Sequence, residues 1–162
     1  MHNGAPSLEN AYLSEHVRRL LQSYKRFTGR SLVDSDDEAF ARKVFEAPFA
    51  LVSHGVESDP IFNYANQTAL SLFEMQWFEF TSMPSRYSAE PVSRDERADL
   101  LARVTRDNFI DDYSGIRIAK TGRRFKIEQA TVWNVFDSEE GDYMGQAAVF
   151  DHWHYLHDEV VC

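Results

Sequence analysis

From Phe109 onward the apolar residues of this 162-residue chain change rhythm, from every third or fourth position to every second one. Ile116 and Ile118 alternate with Arg117, and Lys120-Thr121-Gly122-Arg123 reads as a tight turn. A long strand follows. Its period of two puts Phe125, Ile127, Gln129, Thr131, Trp133 and Val135 on one face, and Lys126, Glu128, Ala130, Val132, Asn134 and Phe136 on the other. The turn Asp137 to Asp142 leads into a last strand, Tyr143 to Phe150. Three antiparallel strands joined by short turns form a meander, and a meander needs helices to complete its core.

The upstream residues supply them. Leu8, Tyr12, Leu13, Val17, Leu20, Leu21, Tyr24 and Phe27 recur at helical spacing, started by Ser7 and stopped near Gly29, with Glu15 set to pair Arg18 or Arg19. A polar link through Asp34, Ser35 and Asp36 precedes a second helix, Asp37 to Phe45, which Pro48 closes. Phe49 to Ser53 and Ile61 to Tyr64 read as short strands, too short to stand alone and therefore expected to join the later sheet. Asn66 is placed to cap a helix carrying Ala69, Leu70, Leu72 and Phe73, and a short helical segment spans Trp77 to Met83. Ser93-Arg94-Asp95-Glu96 is a capping box opening a helix with Leu100, Leu101 and Val104 on its apolar face, and Asn108 stops it. The expected fold is α+β: a five-stranded antiparallel sheet with helices on one face, preceded by an N-terminal helical extension.

Composition narrows the function. Hydrophobic residues are 43% and aromatics 14%, which requires an interior and excludes wholesale disorder. A formal charge of −9 argues against nucleic acid and against an anionic membrane surface as partners. Cys162 is the single cysteine, so no internal disulfide forms, and with no signal-peptide pattern a cytoplasmic location is expected. No Gly-x-Ser-x-Gly elbow or phosphate-cradling glycine loop occurs, and the acidic clusters suit caps and solvation, so a catalytic constellation is not visible.

Binding is a different matter. If Phe125 and Ile127 face the helices, Gln129 and Thr131 share their face, and two buried polar groups must bond each other, water or a small ligand. His54, at a strand end, is either a ligand or a satisfied structural group. His152, His154 and His157 with Asp151 and Asp158 either bind a metal adventitiously or are simply solvated.

The residues also carry a family resemblance. Tyr64-Ala65-Asn66 followed by Ala69, Leu72 and Glu74 resembles the strand-to-helix entry of PAS domains. Phe45 to Phe49, Ser53-His54-Gly55, Asp59 to Asn66, Pro84-Ser85-Arg86, Tyr113 to Arg117 and Phe125 to Trp133 together resemble the MEKHLA family. That family is PAS-like, and occurs as stand-alone bacterial proteins and as the C-terminal domain of plant homeodomain–zipper transcription factors. The resemblance implies a helical extension over 1–47, a PAS-like core over 48–151 and a tail over 152–162. It adds Asn66, Arg86, Tyr87 and Gln146 to Gln129 and Thr131 as ligand-site candidates, with a salt bridge as the alternative role for Arg86. It also implies a homodimer through the N-terminal helix, using Tyr12, Val17, Leu20, Leu21 and Tyr24.

Known PAS cargoes fit poorly. Ser85 stands where flavin-binding photosensors of this type carry a cysteine, and a hydroxyl does not form the photochemical thiol adduct. Arg117 and Ile127 stand where those domains use amides, and the helix Arg94 to Asn108 offers no histidine for haem. The cofactor is left unknown. The expected function is a sensory or regulatory domain that binds a small ligand and signals through protein contacts. The alternatives are a ligand-free dimerisation module and, third, a small enzyme.

Overall fold

The computed structural model describes residues 4–34, 37–89 and 94–156, except for the side chains at 94 and 97. A 3-10 turn, Leu8–Leu13, leads into α1 (Ser14–Thr28) and α2 (Phe40–Phe45). Strands β1 (Ala50–His54) and β2 (Phe62–Ala65) follow, then α3 (Gln67–Phe73), α4 (Trp77–Phe80), a 3-10 turn at Ser85–Ser88 and α5 (Arg94–Asp107). The chain ends in β3 (Phe109–Ile118), β4 (Arg124–Phe136), β5 (Tyr143–Phe150) and β6 (His152–Tyr155). All strand pairs are antiparallel, in the order β2-β1-β5-β4-β3. The early strands do join the late meander.

The expected N-terminal helix is two pieces, because Ala11, Tyr12 and Leu13 adopt positive φ and break it before Ser14. Arg19 pairs with Asp137, not with Glu15, and so ties α1 to the β4–β5 turn. Asn66 caps α3 as expected, and Asn108, at φ 72, ends α5 with its N–H on the Val104 carbonyl. Ser93 of the expected capping box lies outside the described residues.

Helices α3, α4 and α5 cover one face of the sheet, the inner face. Phe62, Phe73, Phe80, Phe125 and Ile127 fill it at one end, and Leu100 and Val104 meet Val132 at the other. The N-terminal extension covers the opposite, outer face. There Val17, Leu20, Leu21 and Tyr24 pack with Leu51, Tyr64, Trp133 and Val135. The Trp133 indole N–H donates to the Leu20 carbonyl at 3.1 Å, and the Tyr24 ring meets it edge-on at 4.8 Å.

The period-two reading of β4 fails at its middle. Gln129 takes φ 52, and the register with β3 slips there: Tyr113 faces Ala130 while Gly115 faces Ile127. One extra residue inverts the alternation of everything after it. Phe125 and Ile127 therefore share the inner face with Ala130, Val132 and Asn134, while Thr131, Trp133 and Val135 turn outward. The sheet also runs past residue 151, where a tail was expected. His152–Tyr155 pairs with Phe125–Glu128 as a sixth strand, in the register that β5 holds with the later part of β4.

Candidate functional site

Between the inner face and α5 lies a cavity of about 70 Å³. Its walls are mainly apolar: Val52, Phe73, Ile127, Ala130, Val132, Leu100 and Leu101. A few polar side chains converge on it, namely His54, Ser85, Ser88, Arg117 and Gln146. An apolar concavity with sparse polar groups is the usual form of a small-molecule site.

Arg117 is the unusual member. Its position on β3 opposite Phe125 turns it inward, and only 9% of it is exposed. The Ile116 carbonyl accepts from Nη1 at 2.9 Å, and the Tyr113 ring lies 5.4 Å from the guanidinium carbon. No carboxylate among the described residues lies within 4.0 Å of it. A guanidinium carries five N–H donors, and a buried charge without a counter-ion is costly. Gly115 makes the Tyr113 pose possible: a β-carbon there would come within 2.0 Å of the Tyr113 hydroxyl. Tyr113 thus folds along its own strand toward Arg117.

The far wall is tied by a polar network. The Gln146 amide donates to Asn134 Oδ1 at 3.1 Å, to Thr105 Oγ1 at 3.2 Å and to the Leu101 carbonyl at 3.3 Å. Asn134 donates to the Val104 carbonyl at 3.0 Å and to Asn108 Oδ1 at 3.2 Å. Two strand amides therefore hold α5 by its own backbone carbonyls. Near the start of β5, the central strand, Gly145 sits at φ 126 with its α-carbon against β1; a β-carbon would lie 1.9 Å from the His54 carbonyl oxygen.

Of the six expected ligand residues, Gln146 lines this cavity. Gln129 is exposed at the bulge, and Thr131 is buried on the outer face; the inverted alternation removes both. Asn66 is fully buried but saturated. Its Oδ1 accepts from Leu51 and Ala69 N–H, and its Nδ2 donates to the Val44 and Phe49 carbonyls, so it is a lock among α2, β1 and α3. Arg86 Nε reaches both Asp59 oxygens, at 3.0 and 3.1 Å, and its Nη2 donates to the Tyr87 hydroxyl; the salt-bridge alternative describes it. Both Arg86 and Tyr87 lie outside the cavity lining. Residues missed by sequence reasoning are Arg117, Ser88 and Tyr113. Their signal was Tyr-x-Gly-x-Arg at strand spacing, which puts Tyr113, Gly115 and Arg117 on one face.

The expected dimer face is occupied within the chain. Val17, Leu20, Leu21 and Tyr24 are buried against the sheet's outer face, and Tyr12 is half-buried with its ring 6.1 Å from Phe45. Here His16 enters from α1, with Nε2 3.0 Å from Ser53 Oγ and its ring 5.8 Å from Tyr64. Burial, with the Arg19 charge adding to it, lowers the His16 pKa to about 4. Burial likewise raises that of Tyr64, whose hydroxyl has no hydrogen-bond partner among the described residues. In the former tail, His152 pairs with Asp151, and His154 lies 3.9 Å from Glu128. Among the described residues no three metal-ligating side chains converge, and His157 and Asp158 lie outside them. No helix among the described residues is long and apolar enough to cross a membrane.

A five-strand antiparallel path with α3 to α5 enclosing a cavity on its inner face defines a PAS-type domain, and solved structures share that fold. A PAS domain from Colwellia psychrerythraea aligns with TM-score 0.57 at 12% identity, covering 72% of this chain and 93% of its own. A light-oxygen-voltage domain studied with a flavin analogue aligns with TM-score 0.53 at 15% identity, covering 74% and 84%. Within that class the chain belongs to the MEKHLA domain family, which matches residues 14–155. Homeobox-leucine zipper protein HOX29 of Oryza sativa subsp. indica is 24% identical over 144 residues, 86% of this chain. REVOLUTA of Arabidopsis thaliana is 24% identical over 123 residues, 74% of this chain. The chain spans about a sixth of the length of these relatives, 17% and 15% respectively.

The fold shared with a light-oxygen-voltage domain raises the question of flavin, and the residues do not fit it. A cavity of about 70 Å³ is well below the roughly 300–1,000 Å³ of pockets for drug-sized ligands, and Ser85 rather than a thiol faces it.

Proposed function

We propose that this chain is a PAS-like regulatory domain that holds a small molecule between its sheet and α5 and passes on occupancy through protein contacts. The observation that carries this reading is the cavity itself: apolar walls, a buried Arg117 without a counter-ion among the described residues, and a helix above it held by two strand amides. A molecule entering there competes with or reinforces the Asn134–Gln146 network, so the position of α5 reports occupancy. Binding, not turnover, is the role this supports. Partners engage surfaces other than the buried face of α1; a homodimer through that face requires the helix to be exchanged between copies.

The test is a thermal-shift panel of acids, amides and alcohols of about six heavy atoms or fewer, the size the cavity allows. At least one compound gives a saturable rise in the wild-type chain and none in A148L, which fills the cavity. A flat response to every compound overturns the reading. Sedimentation of the intact chain gives a monomer; a stable dimer would point to helix exchange.

A further inference from the structure

We infer that the molecule this cavity selects is a short-chain monocarboxylate of two to four carbons, its carboxylate paired to Arg117. The inference rests on the small-ligand reading above and adds the ligand's charge and size. Three observations converge. The first is charge: Arg117 is about nine-tenths buried, lines the cavity, uses one donor on the Ile116 carbonyl and has no described carboxylate within ion-pair distance. Its planar fork matches a carboxylate with two parallel N–H···O bonds, and such a ligand supplies a counter-ion that none of the described residues provides.

The second is size. One water needs about 10–15 Å³ of such space, so about 70 Å³ holds roughly five water-sized groups. Acetate, propionate and butyrate are in that range, whereas a nucleotide or a flavin is not. The third is the chemistry of the remaining wall. Apart from His54, Ser85, Ser88 and Gln146 it is apolar, and Val52, Ile127, Val132 and Leu100 present hydrocarbon to whatever the guanidinium holds, which suits an alkyl tail.

Tyr113 gives the site an entrance. It stacks toward Arg117 across Gly115, which has no side chain to hold it off, and a rotamer change would uncover the guanidinium without moving backbone. Tyr113 and Gly115 are thus placed to control access.

The experiment is isothermal titration of the intact chain with sodium acetate, propionate and butyrate, and with propionamide as the neutral isostere, at constant ionic strength. Propionate or butyrate binds saturably and propionamide at least about tenfold more weakly, the ratio expected for a lost charge-assisted pair. Arg117→Gln lowers carboxylate affinity about ten- to a hundredfold, and Arg117→Lys, which keeps the charge but not the fork, loses less. Folding of each variant is checked by circular dichroism. Should both fail to fold, A148L blocks binding while keeping Arg117 in place. Equal binding of acid and amide, or acid binding unchanged in Arg117→Gln, overturns the carboxylate inference and leaves the small-ligand reading standing. Silence from all four probes overturns the carboxylate inference, and the wider panel then decides the small-ligand reading separately.

Discussion

The two faces of the sheet are built to different standards. On the outer face, α1 sets Val17, Leu20 and Tyr24 against Trp133, whose one polar atom is bonded. On the inner face, α5 leaves a cavity, a buried cation and a helix held by side-chain amides. The outer face is dominated by large apolar side chains, with the Tyr64 hydroxyl its one buried polar atom lacking a described partner, whereas an apolar gap lined by a few polar groups is what a ligand site requires. The sequence-based reading puts the site on the face of Phe125 and Ile127, where the cavity lies, but with other residues, and it gives the apolar face of α1 to a second copy. The amphipathic face of α1 serves the chain's own core, and the site lies under α5, whose apolar face carries Leu100 and Leu101.

The contrast can be broken most strongly from the outer side. Trp133→Ala removes the centre of that packing and costs about 4 kcal/mol in a denaturant titration. Cutting the chain before Pro48 exposes the same surface, so the truncated protein aggregates instead of staying a folded monomer. Asn66→Ala strands two buried N–H groups and two carbonyls and costs roughly 3 kcal/mol, measured the same way, with no loss of ligand response.

Acid acts on the outer face through His16. Its ordinary pKa of 6.5 falls to about 4 in the folded chain. Between these values the unfolded chain binds a proton that the folded chain does not. Stability is therefore full above pH 6.5 and declines as pH falls toward 4, by roughly 3 kcal/mol in total. Urea midpoints across that range show the slope, and His16→Gln flattens it.

The inner face answers more weakly to packing changes. Ala148→Leu fills space that is already empty, so it changes stability by less than about 1 kcal/mol while removing the thermal shift from small ligands. Smallest of all is Arg86→Ala: its ion pair with Asp59 is solvent-exposed, and its removal leaves the melting temperature and the ligand response unchanged.

Much of this was legible in the sequence. The switch to period two located the meander, Asn66 and Asn108 marked helix ends, and the quoted motifs led to the family. What was not legible has specific causes. The bulge sets Gln129 at positive φ where a glycine would have been the usual signal, so no residue type announces it; it moved Gln129 and Thr131 out of the site and Ala130 and Val132 into it. Amphipathicity showed that α1 buries a face but not against what, since a second copy and the chain's own sheet demand the same pattern. Arg117 was set aside as a poor flavin ligand, although its spacing from Tyr113 and Gly115 already put the three on one face. In its alternation with Ile116 and Ile118, which are only partly buried, the arginine is the buried member.

Hydrogen exchange of the intact chain, with and without propionate or whichever panel compound shifts melting most, tests the difference between the faces directly. Residues 94–107 of α5 exchange more slowly when the compound is bound, and α1 exchanges at its former rate. Equal slowing in both helices, or no change in α5 with a compound that demonstrably binds, would contradict the assignment of the inner face as the responsive one.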